Sequence, residues 1–317
     1  MYTYRQIFIQ ALKVSVYYPS LWFFGFFVAL LGSSSGADFF FGSYGFGSRS
    51  MLYSFWSGLA EGGLFTPEGV RGLMKVLITN PIYLFVIVLL FLIIFGISIL
   101  LIFLGTTSQV GLIDQLVGVS KNRPLSFKKG FQTGLTKFWP ALGLNIVLKV
   151  ILFVMIGLPA LFSFFSFPGS TALFIIIFDI SFLVILILSF IIKYAICAIS
   201  LRNISFLDSL KSAWKIFLAN WLLSLEIALI IFALYMVVNS ILLWFFSSIV
   251  FGFLKLFTGF IFGLIFLFVI ALLFFIFVQI VLTIFHWAIW AIIFELVSNP
   301  KYSIKSKINI GFDKLFG

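Results

Sequence analysis

Residues 82–104 read IYLFVIVLLFLIIFGISILLIFL and contain no charged side chain. A helix needs about 20 mostly apolar residues to cross the hydrocarbon core of a bilayer, so this stretch predicts a membrane-spanning helix. Lipid offers no hydrogen-bonding partners, and only helices and closed barrels therefore cross a membrane. The alternating polarity of barrel strands is absent from the sequence. We expect an all-α polytopic membrane protein.

The composition of the whole chain agrees with this prediction. Of the 317 residues, 63% are hydrophobic and 9% are charged, and the mean hydropathy is +1.27. Soluble domains carry about 25% charged residues, so a soluble globule, a disordered chain and a nucleic-acid-binding domain are all excluded. The chain has one Cys and one His, which cannot form an internal disulfide or a zinc site. We expect no metal and no cofactor.

Six stretches are long and apolar enough to span a membrane. They are residues 16–31, 82–104, 138–161, 172–200, 220–246 and 259–296. The first is short, and its apolar run followed by Gly32 and three serines is also compatible with a cleaved signal peptide. The last exceeds one membrane thickness, so we expect it to tilt and bend, or to place Trp287 and Trp290 in the interface.

The distribution of Lys and Arg predicts the orientation. Translocating these residues is unfavourable, so they collect in cytoplasmic flanks. Fifteen of the 20 lie in one set of flanks: Arg5, Lys13, Lys121, Arg123, Lys128, Lys129, Lys137, Lys193, Arg202, Lys211, Lys215, Lys301, Lys305, Lys307 and Lys314. This asymmetry predicts a cell-membrane protein with both termini in the cytoplasm. The net charge of +11 then faces anionic headgroups, and nucleic acid is not expected as a partner.

Four segments of these flanks share one pattern. Each carries apolar residues at positions i, i+4 and i+8 with a small residue at i+7, and three also carry one at i+11. The first is looser, and Pro19 ends it. They begin at Phe8, Phe127, Phe206 and Ile304, and their small residues are Ser15, Gly134, Ala213 and Gly311. Ser126, Ser205 and Ser303 precede three of them as helix caps. The spacing is typical of an amphipathic helix in the interface plane, where the small residue allows close approach to a neighbouring helix.

The pattern divides the chain into three pseudo-repeats within one membrane domain, residues 1–317. Each unit has an interfacial helix, an outward span and a return span, and the units cover residues 1–119, 120–200 and 201–317. The outer loop, residues 33–80, is the long extramembrane segment. We interpret it as a lid over an outward cavity or as a loop whose aromatic residues dip into the headgroups. Thr66, Pro67 and Glu68 predict a short helix within it.

The sequence SFLDSLKSAW at residues 205–214, with a weaker counterpart starting at Ser126, resembles a family of prokaryotic six-span membrane proteins. The family includes the membrane domain attached to some glycerophosphodiester phosphodiesterases. The resemblance implies a helical membrane fold and a membrane location. It carries no enzymatic residue onto this chain, because no catalytic domain of that kind is present.

Polar residues within the predicted spans form the candidate site. A charged side chain in mid-membrane is costly and calls for a partner or a cavity. Lys149 and Asp179 are predicted at similar depths and are expected to pair, with Glu226 as the second choice and Asn145 one turn from Lys149. The pair is interpreted as a clasp between helices or as an ion relay. Asn239 and Gln279 are neutral candidates for interhelical hydrogen bonds. His286 is expected at the membrane interface and Cys197 in the core.

Three functions remain open from the sequence. No paired carboxylates at catalytic spacing, phosphate-binding loop or nucleophile motif is present, so we favour a non-enzymatic protein that organises the bilayer or associates with lipid. The alternatives are a small-molecule or lipid transporter and an intramembrane enzyme acting on lipid. The residues expected to contact headgroups are Lys128, Lys129, Lys211, Lys215, Lys305 and Lys307.

Overall fold

The computed structural model describes residues 4–31, 66–79, 81–121, 123, 126–163, 170–202, 204–256 and 261–298, and its regular elements there are all α-helices. They are α1 (Tyr4–Tyr17), α2 (Ser20–Leu30), α3 (Pro67–Thr79), α4 (Pro81–Ser120), α5 (Phe127–Thr136), α6 (Phe138–Ser163), α7 (Ser170–Arg202), α8 (Phe206–Ala219), α9 (Trp221–Leu256) and α10 (Ile261–Ser298). The all-α prediction is confirmed. Predicted features in residues 32–65 and 299–317, including the fourth amphipathic segment with Lys305 and Lys307, lie outside the described residues.

Five of the described helices are long and apolar enough to cross a membrane. The qualifying segments are Ile82–Val119, Phe138–Met155, Ile175–Arg202, Trp221–Ser248 and Phe266–Ser298. Each coincides with one predicted span, because an uninterrupted apolar stretch fixes both the helix and its preference for lipid. The chain is therefore a helical membrane protein.

The first predicted span, residues 16–31, is divided between two helices. α1 ends at Tyr17, and the chain turns by 102° before α2 begins at Ser20. The proline at position 19 lacks an amide N–H and cannot continue α1. The Trp22 indole donates a hydrogen bond to the Ser15 carbonyl oxygen at 3.0 Å across the bend. α2 has 11 residues and rises about 16 Å, so the described helices provide a sixth span only if the bent pair is counted as one.

The core lies where the carboxyl-terminal halves of α4, α7 and α10 meet. Residues 105–113, 190–200 and 282–291 are all buried, whereas residues 82–100 of α4 are exposed on every side. Trp290 packs against Phe190 and Tyr194, with ring centroids 5.7 and 5.6 Å apart. The expectation that Trp287 and Trp290 lie in the interface is wrong, because other helices cover both rings.

The short amphipathic helices α1, α5 and α8 pack onto this core through small residues. Ser15, Gly134 and Ala213, the residues at i+7, are all buried. A Cβ at Gly134 would overlap the Thr107 carbonyl oxygen and lie 2.8 Å from Thr107 Cγ2, so α5 rests directly on the backbone of α4. The predicted close approach is confirmed at this position. The division into three pseudo-repeats stays a prediction.

Some of the larger apolar residues of these helices remain on the outside. Leu12 is 53% exposed and Trp214 is 48% exposed, although both belong to the predicted apolar stripes. Others, such as Ile7 and Phe217, are buried against the core beside the small residues. Ser126 and Ser205 accept hydrogen bonds from the Lys129 and Asp208 amides, as predicted for N-caps. Thr66 caps α3 in the same way by accepting from the Gly69 amide at 3.1 Å.

Replacing Gly134 with Ala should destabilise the protein by about 1–3 kcal/mol, because the methyl group meets backbone that cannot rotate away. The measurement is the thermal unfolding midpoint of the purified protein in detergent. Gly96→Ala is the matched control, since a Cβ there meets nothing within 4 Å. The control should keep or raise the midpoint, because Ala favours helix over Gly. Equal midpoints for the two variants would contradict the close packing.

Candidate functional site at the basic end of the bundle

Two groups of elements meet at one end of the helix bundle. The carboxyl ends of α4, α7 and α10 converge there, and α1, α5 and α8 pack against the same halves of these helices. Ring contacts between Phe8 and Phe285, and between Phe190 and Phe217, join α1 to α10 and α8 to α7. We call this region the basic end because most of the described Lys and Arg residues lie in it.

Four of the predicted headgroup-contacting lysines are exposed at the basic end. Lys128 and Lys129 lie in the first turn of α5, and Lys211 and Lys215 lie one turn apart on α8. Each pair shares its helix with exposed apolar side chains, which are Phe127 and Leu135 on α5 and Leu207, Trp214 and Leu218 on α8. Exposed apolar side chains beside exposed positive charges on one short helix are typical of helices that lie in a membrane interface.

A cavity of about 410 Å³ opens among the converging carboxyl ends. Its lining combines three cations, two carboxylates and apolar groups. The lining residues are Asp114, Val117, Gly118, Lys121, Arg123, Leu201, Arg202, Phe294, Glu295 and Ser298. We call it the end cavity. The end cavity is large enough for a phosphate group and part of the alcohol esterified to it. Proteins commonly bind phosphate through Lys and Arg, which are the cations of this cavity.

The cations of the end cavity are held by defined contacts. Lys121 Nζ lies 2.6 Å from Glu295 Oε1 and joins α4 to α10. Arg202 donates to the Ser298 carbonyl oxygen at 3.2 Å, and its guanidinium lies 5.3 Å from the centre of the Phe294 ring. Arg202 therefore lies across the last turn of α10, where helix carbonyls carry partial negative charge.

Lys137 connects three helices behind the end cavity. It follows α5, and its Nζ donates to the Ser200 carbonyl oxygen on α7 at 2.7 Å. The Ser200 hydroxyl in turn donates to the Val110 carbonyl oxygen on α4 at 2.9 Å. Burial lowers the pKa of Lys137 from its ordinary value, and the Asp114 carboxylate opposes part of that effect.

Lys149 and Asp179 do not form the predicted clasp. Lys149 Nζ donates to the Leu31 carbonyl oxygen at 3.5 Å, beyond the last turn of α2, and Asp179 is exposed on α7. Among the described residues no ion pair joins them. The carboxyl end of α2 supplies a partial negative charge, and this satisfies the lysine without a carboxylate.

The other predicted polar residues find different partners. Asn145 donates to Gln109 Oε1 at 2.8 Å, and this buried bond joins α6 to α4. Glu226 on α9 accepts a hydrogen bond from the Tyr4 hydroxyl on α1. Gln279 donates to Asn239 Oδ1 at 2.7 Å, so these two candidates for interhelical hydrogen bonds join α9 to α10. The structure therefore distributes these residues over separate helix contacts and does not gather them into one site.

Two buried polar residues have positions that differ from the sequence prediction. Lys193 is assigned by sequence to a cytoplasmic flank and His286 to the interface, yet the side chains are 3% and 5% exposed. The sequence carries one signal of this burial, which is the similarity between KYAICA at residues 193–198 and HWAIWA at residues 286–291. In each segment a polar residue precedes an aromatic residue and two small ones, which is typical of a buried helix contact. Cys197 is buried core, as expected.

The chemistry available at the basic end is recognition of negative charge. Within the described ranges, no group of three His, Cys, Asp or Glu side chains could hold a metal ion. The end cavity and the exposed lysines instead offer ammonium and guanidinium groups beside apolar surface. This combination suits an amphiphile with an anionic head.

Comparison of the chain with known proteins found no matching family model, no similar curated protein and no similar solved structure. The resemblance to the membrane domain of glycerophosphodiester phosphodiesterases at residues 205–214 therefore stays a prediction. The site is argued from its own residues.

Replacing Asn145 with Leu should cost about 1–2 kcal/mol, because it leaves the Gln109 amide oxygen buried without a partner. The free energy of unfolding in a denaturing detergent series measures this loss. Changing both Asn145 and Gln109 to Leu should recover most of the stability, since no polar group is then stranded. Losses that simply add in the double variant would contradict the pairing.

The lowered pKa of Lys137 predicts that stability rises at alkaline pH. Between that pKa and the ordinary value of 10.5, the unfolded chain binds more protons than the folded protein, so raising the pH through this interval favours folding. The unfolding midpoint of the native protein should therefore increase relative to that of Lys137→Met as the pH is raised towards 10.5. Lys75→Met is the control, because it measures how the loss of one exposed lysine on α3 changes the unfolding midpoint. A constant difference between native protein and Lys137→Met would contradict the prediction.

Proposed function

We propose that the chain is a non-enzymatic, multi-pass protein of the cell membrane that gathers anionic lipids around its basic end. One observation carries the proposal. α1, α5 and α8 pack onto one end of the bundle through small residues, and large apolar side chains and lysines stay exposed beside each other on α5 and α8. Water disfavours such a surface, whereas the boundary between acyl chains and anionic headgroups accommodates both parts of it.

The proposed orientation places the basic end in the cytoplasm. Most of the positive charge in the sequence belongs to the flanks at this end, and positive flanks are retained inside. Counting α1 and α2 together as a bent sixth crossing brings both termini to the cytoplasmic side. α5 and α8 then lie along the inner leaflet, with the exposed side chain of Trp214 among the lipids.

Electrostatics supply the selectivity in this proposal. A Lys or Arg near an anionic membrane surface contributes about 1 kcal/mol of attraction at ordinary ionic strength. Lys128, Lys129, Lys211 and Lys215 are all exposed, so their charges remain available to headgroups. The end cavity adds Arg123 and Arg202 at the centre of the same surface, where a headgroup phosphate could enter between the helix ends.

The transporter hypothesis has weaker support. It depends on Lys149 as a charged group inside the membrane. That lysine is engaged with the Leu31 carbonyl, in a contact that holds α2 against α6. The buried Asn145–Gln109 and Asn239–Gln279 bonds likewise join helices. Polar pairs of this kind fix helix packing, which suits a scaffold.

The test is the lipid retained by the purified protein. We expect protein released from nanodiscs containing equal phosphatidylglycerol and phosphatidylcholine to keep mainly phosphatidylglycerol, as counted by native mass spectrometry. The double variant Lys211→Gln, Lys215→Gln should lose bound phosphatidylglycerol several-fold, because two exposed charges of about 1 kcal/mol each are removed. Raising the salt concentration should reduce retention by the native protein in the same way.

A matched control is available on α3. Arg71 and Lys75 form the same i, i+4 basic pair on an exposed amphipathic helix, but away from the end cavity. Arg71→Gln, Lys75→Gln should retain the native amount of phosphatidylglycerol. Equal retention by all three proteins, or equal loss in both variants, would overturn the proposed role of the basic end.

A further inference from the structure

The lining of the end cavity includes a carboxylate that binding of a phosphate does not explain. Lys121 and Glu295 form an ion pair at 2.6 Å, so their charges largely cancel. The remaining charged residues of the lining are Arg123, Arg202 and Asp114. The two arginines attract a phosphate, whereas Asp114 repels it, because like charges repel each other. A ligand of this cavity therefore has to place something other than an anion beside Asp114.

No ion pair among the described residues neutralises Asp114. Its Oδ2 accepts a long hydrogen bond of 3.4 Å from the side chain of Gln115. The Lys137 ammonium attracts Asp114 electrostatically but forms no salt bridge with it, and Lys137 Nζ donates to the Ser200 carbonyl oxygen. Asp114 is half-buried, so water screens its charge only in part. The carboxylate is thus available to a cation that enters the end cavity.

The helix ends around the end cavity also favour a cation. α4, α7 and α10 end at Ser120, Arg202 and Ser298, and the last carbonyls of a helix carry partial negative charge. Arg202 donates to one of them, the Ser298 carbonyl oxygen. The end cavity therefore has a negative part, formed by Asp114 and the helix ends, beside a positive part formed by its two arginines.

The backbone of α4 brings the two parts close together. Gly118 lies one turn after Asp114. The Arg123 amide donates to the Gly118 carbonyl oxygen at 2.9 Å, and a Cβ at Gly118 would lie 3.9 Å from Arg123 Cβ. Residues four apart on a helix have Cβ atoms about 5–6 Å apart, so the side chains of Asp114 and Arg123 begin within about 10 Å of each other. One small ligand can contact both.

Both arginines keep donors for a phosphate. The Arg123 guanidinium has no ion pair within the described part of the chain. A guanidinium has five N–H donors, so the bond from Arg202 to Ser298 leaves others free to bind a ligand. The planar group suits the oxygens of a phosphate, which accept two such donors side by side.

We propose that the end cavity binds a phosphate ester that carries a primary ammonium group, as in the headgroup of an ethanolamine phospholipid. The phosphate would accept hydrogen bonds from Arg123 and Arg202, and the ammonium would donate to Asp114. The apolar part of the lining would adjoin the glycerol ester, and it comes from Val117, Leu201 and Phe294. The inference rests on the proposed function, which brings lipid to the basic end, and it names the head that the cavity selects.

The test compares two lipids of equal net charge. The full-length protein is released from nanodiscs of equal phosphatidylethanolamine, phosphatidylcholine and phosphatidylglycerol, and native mass spectrometry counts each bound lipid. Retained phosphatidylethanolamine should exceed phosphatidylcholine about fivefold, because a choline head has no N–H to donate to Asp114. Asp114→Asn should bring this ratio close to one, because the amide carries no charge. Gly118→Leu should do the same without changing any charge, because it places a side chain in the cavity.

Asp208→Asn is the matched control. It removes one carboxylate from α8 at the same basic end, but Asp208 does not line the end cavity. The control should keep the native ratio. The double variant Lys211→Gln, Lys215→Gln should also keep it, since exposed lysines attract the two neutral lipids alike. Weak retention of phosphatidylglycerol by the native protein, with the ethanolamine preference intact, would count against the proposed function and still support this site.

Soluble phosphoethanolamine and phosphocholine separate a lipid from a free phosphate ester as the source of the ligand. An ethanolamine preference in nanodiscs, with no effect of either soluble ester on the unfolding midpoint in detergent, assigns the lipid. A midpoint raised by phosphoethanolamine alone, and not in Asp114→Asn, assigns the free ester. The inference is overturned if the native protein prefers the ethanolamine form in neither experiment, or if its preference is unchanged in Asp114→Asn.

Discussion

The carboxyl-terminal halves of α4 and α7 approach closely enough for a buried hydroxyl on one helix to bond to the backbone of the other. An unpaired polar group costs several kcal/mol in lipid, so each such contact constrains the register of two helices. Ser200 links α7 to the Val110 carbonyl of α4, and Lys137 links the start of α6 to the same serine. Gly134 lets α5 lie against α4 beside these bonds. The remaining helices arrange themselves around this junction.

The same junction separates two surfaces of different chemistry. Residues 82–100 of α4 expose only apolar and weakly polar side chains, a surface that acyl chains can cover. At the other end, the junction brings together the end cavity and the lysines of α5 and α8. Lys193 and Trp290 line a small cavity near the same junction. Both surfaces thus depend on one packing arrangement, although they use different residues.

Prediction from sequence succeeded where a single segment carries the information. The five long spans, the Ser126 and Ser205 caps and the short helix after Thr66 all follow from local composition and spacing. Asn239 and Gln279 were expected to form hydrogen bonds between helices, and the structure pairs them with each other. Prediction failed for the Lys149–Asp179 pair, because a helix end at Leu31 competes with a carboxylate and has no sequence signature.

By itself, the sequence determined that the chain is helical, that it enters the membrane and that its positive charge collects in a few flanks. These properties depend on hydropathy and charge, which are sums over neighbouring residues. Only the tertiary structure decided that Lys193 and His286 are buried and that three helix ends line the end cavity. It also decided that the Trp290 indole N–H has no acceptor among the described residues. Such properties depend on which faces of distant helices meet. Apolar helices in a membrane pack by van der Waals contact, and many alternative helix pairings have similar energies, so the sequence alone does not select one.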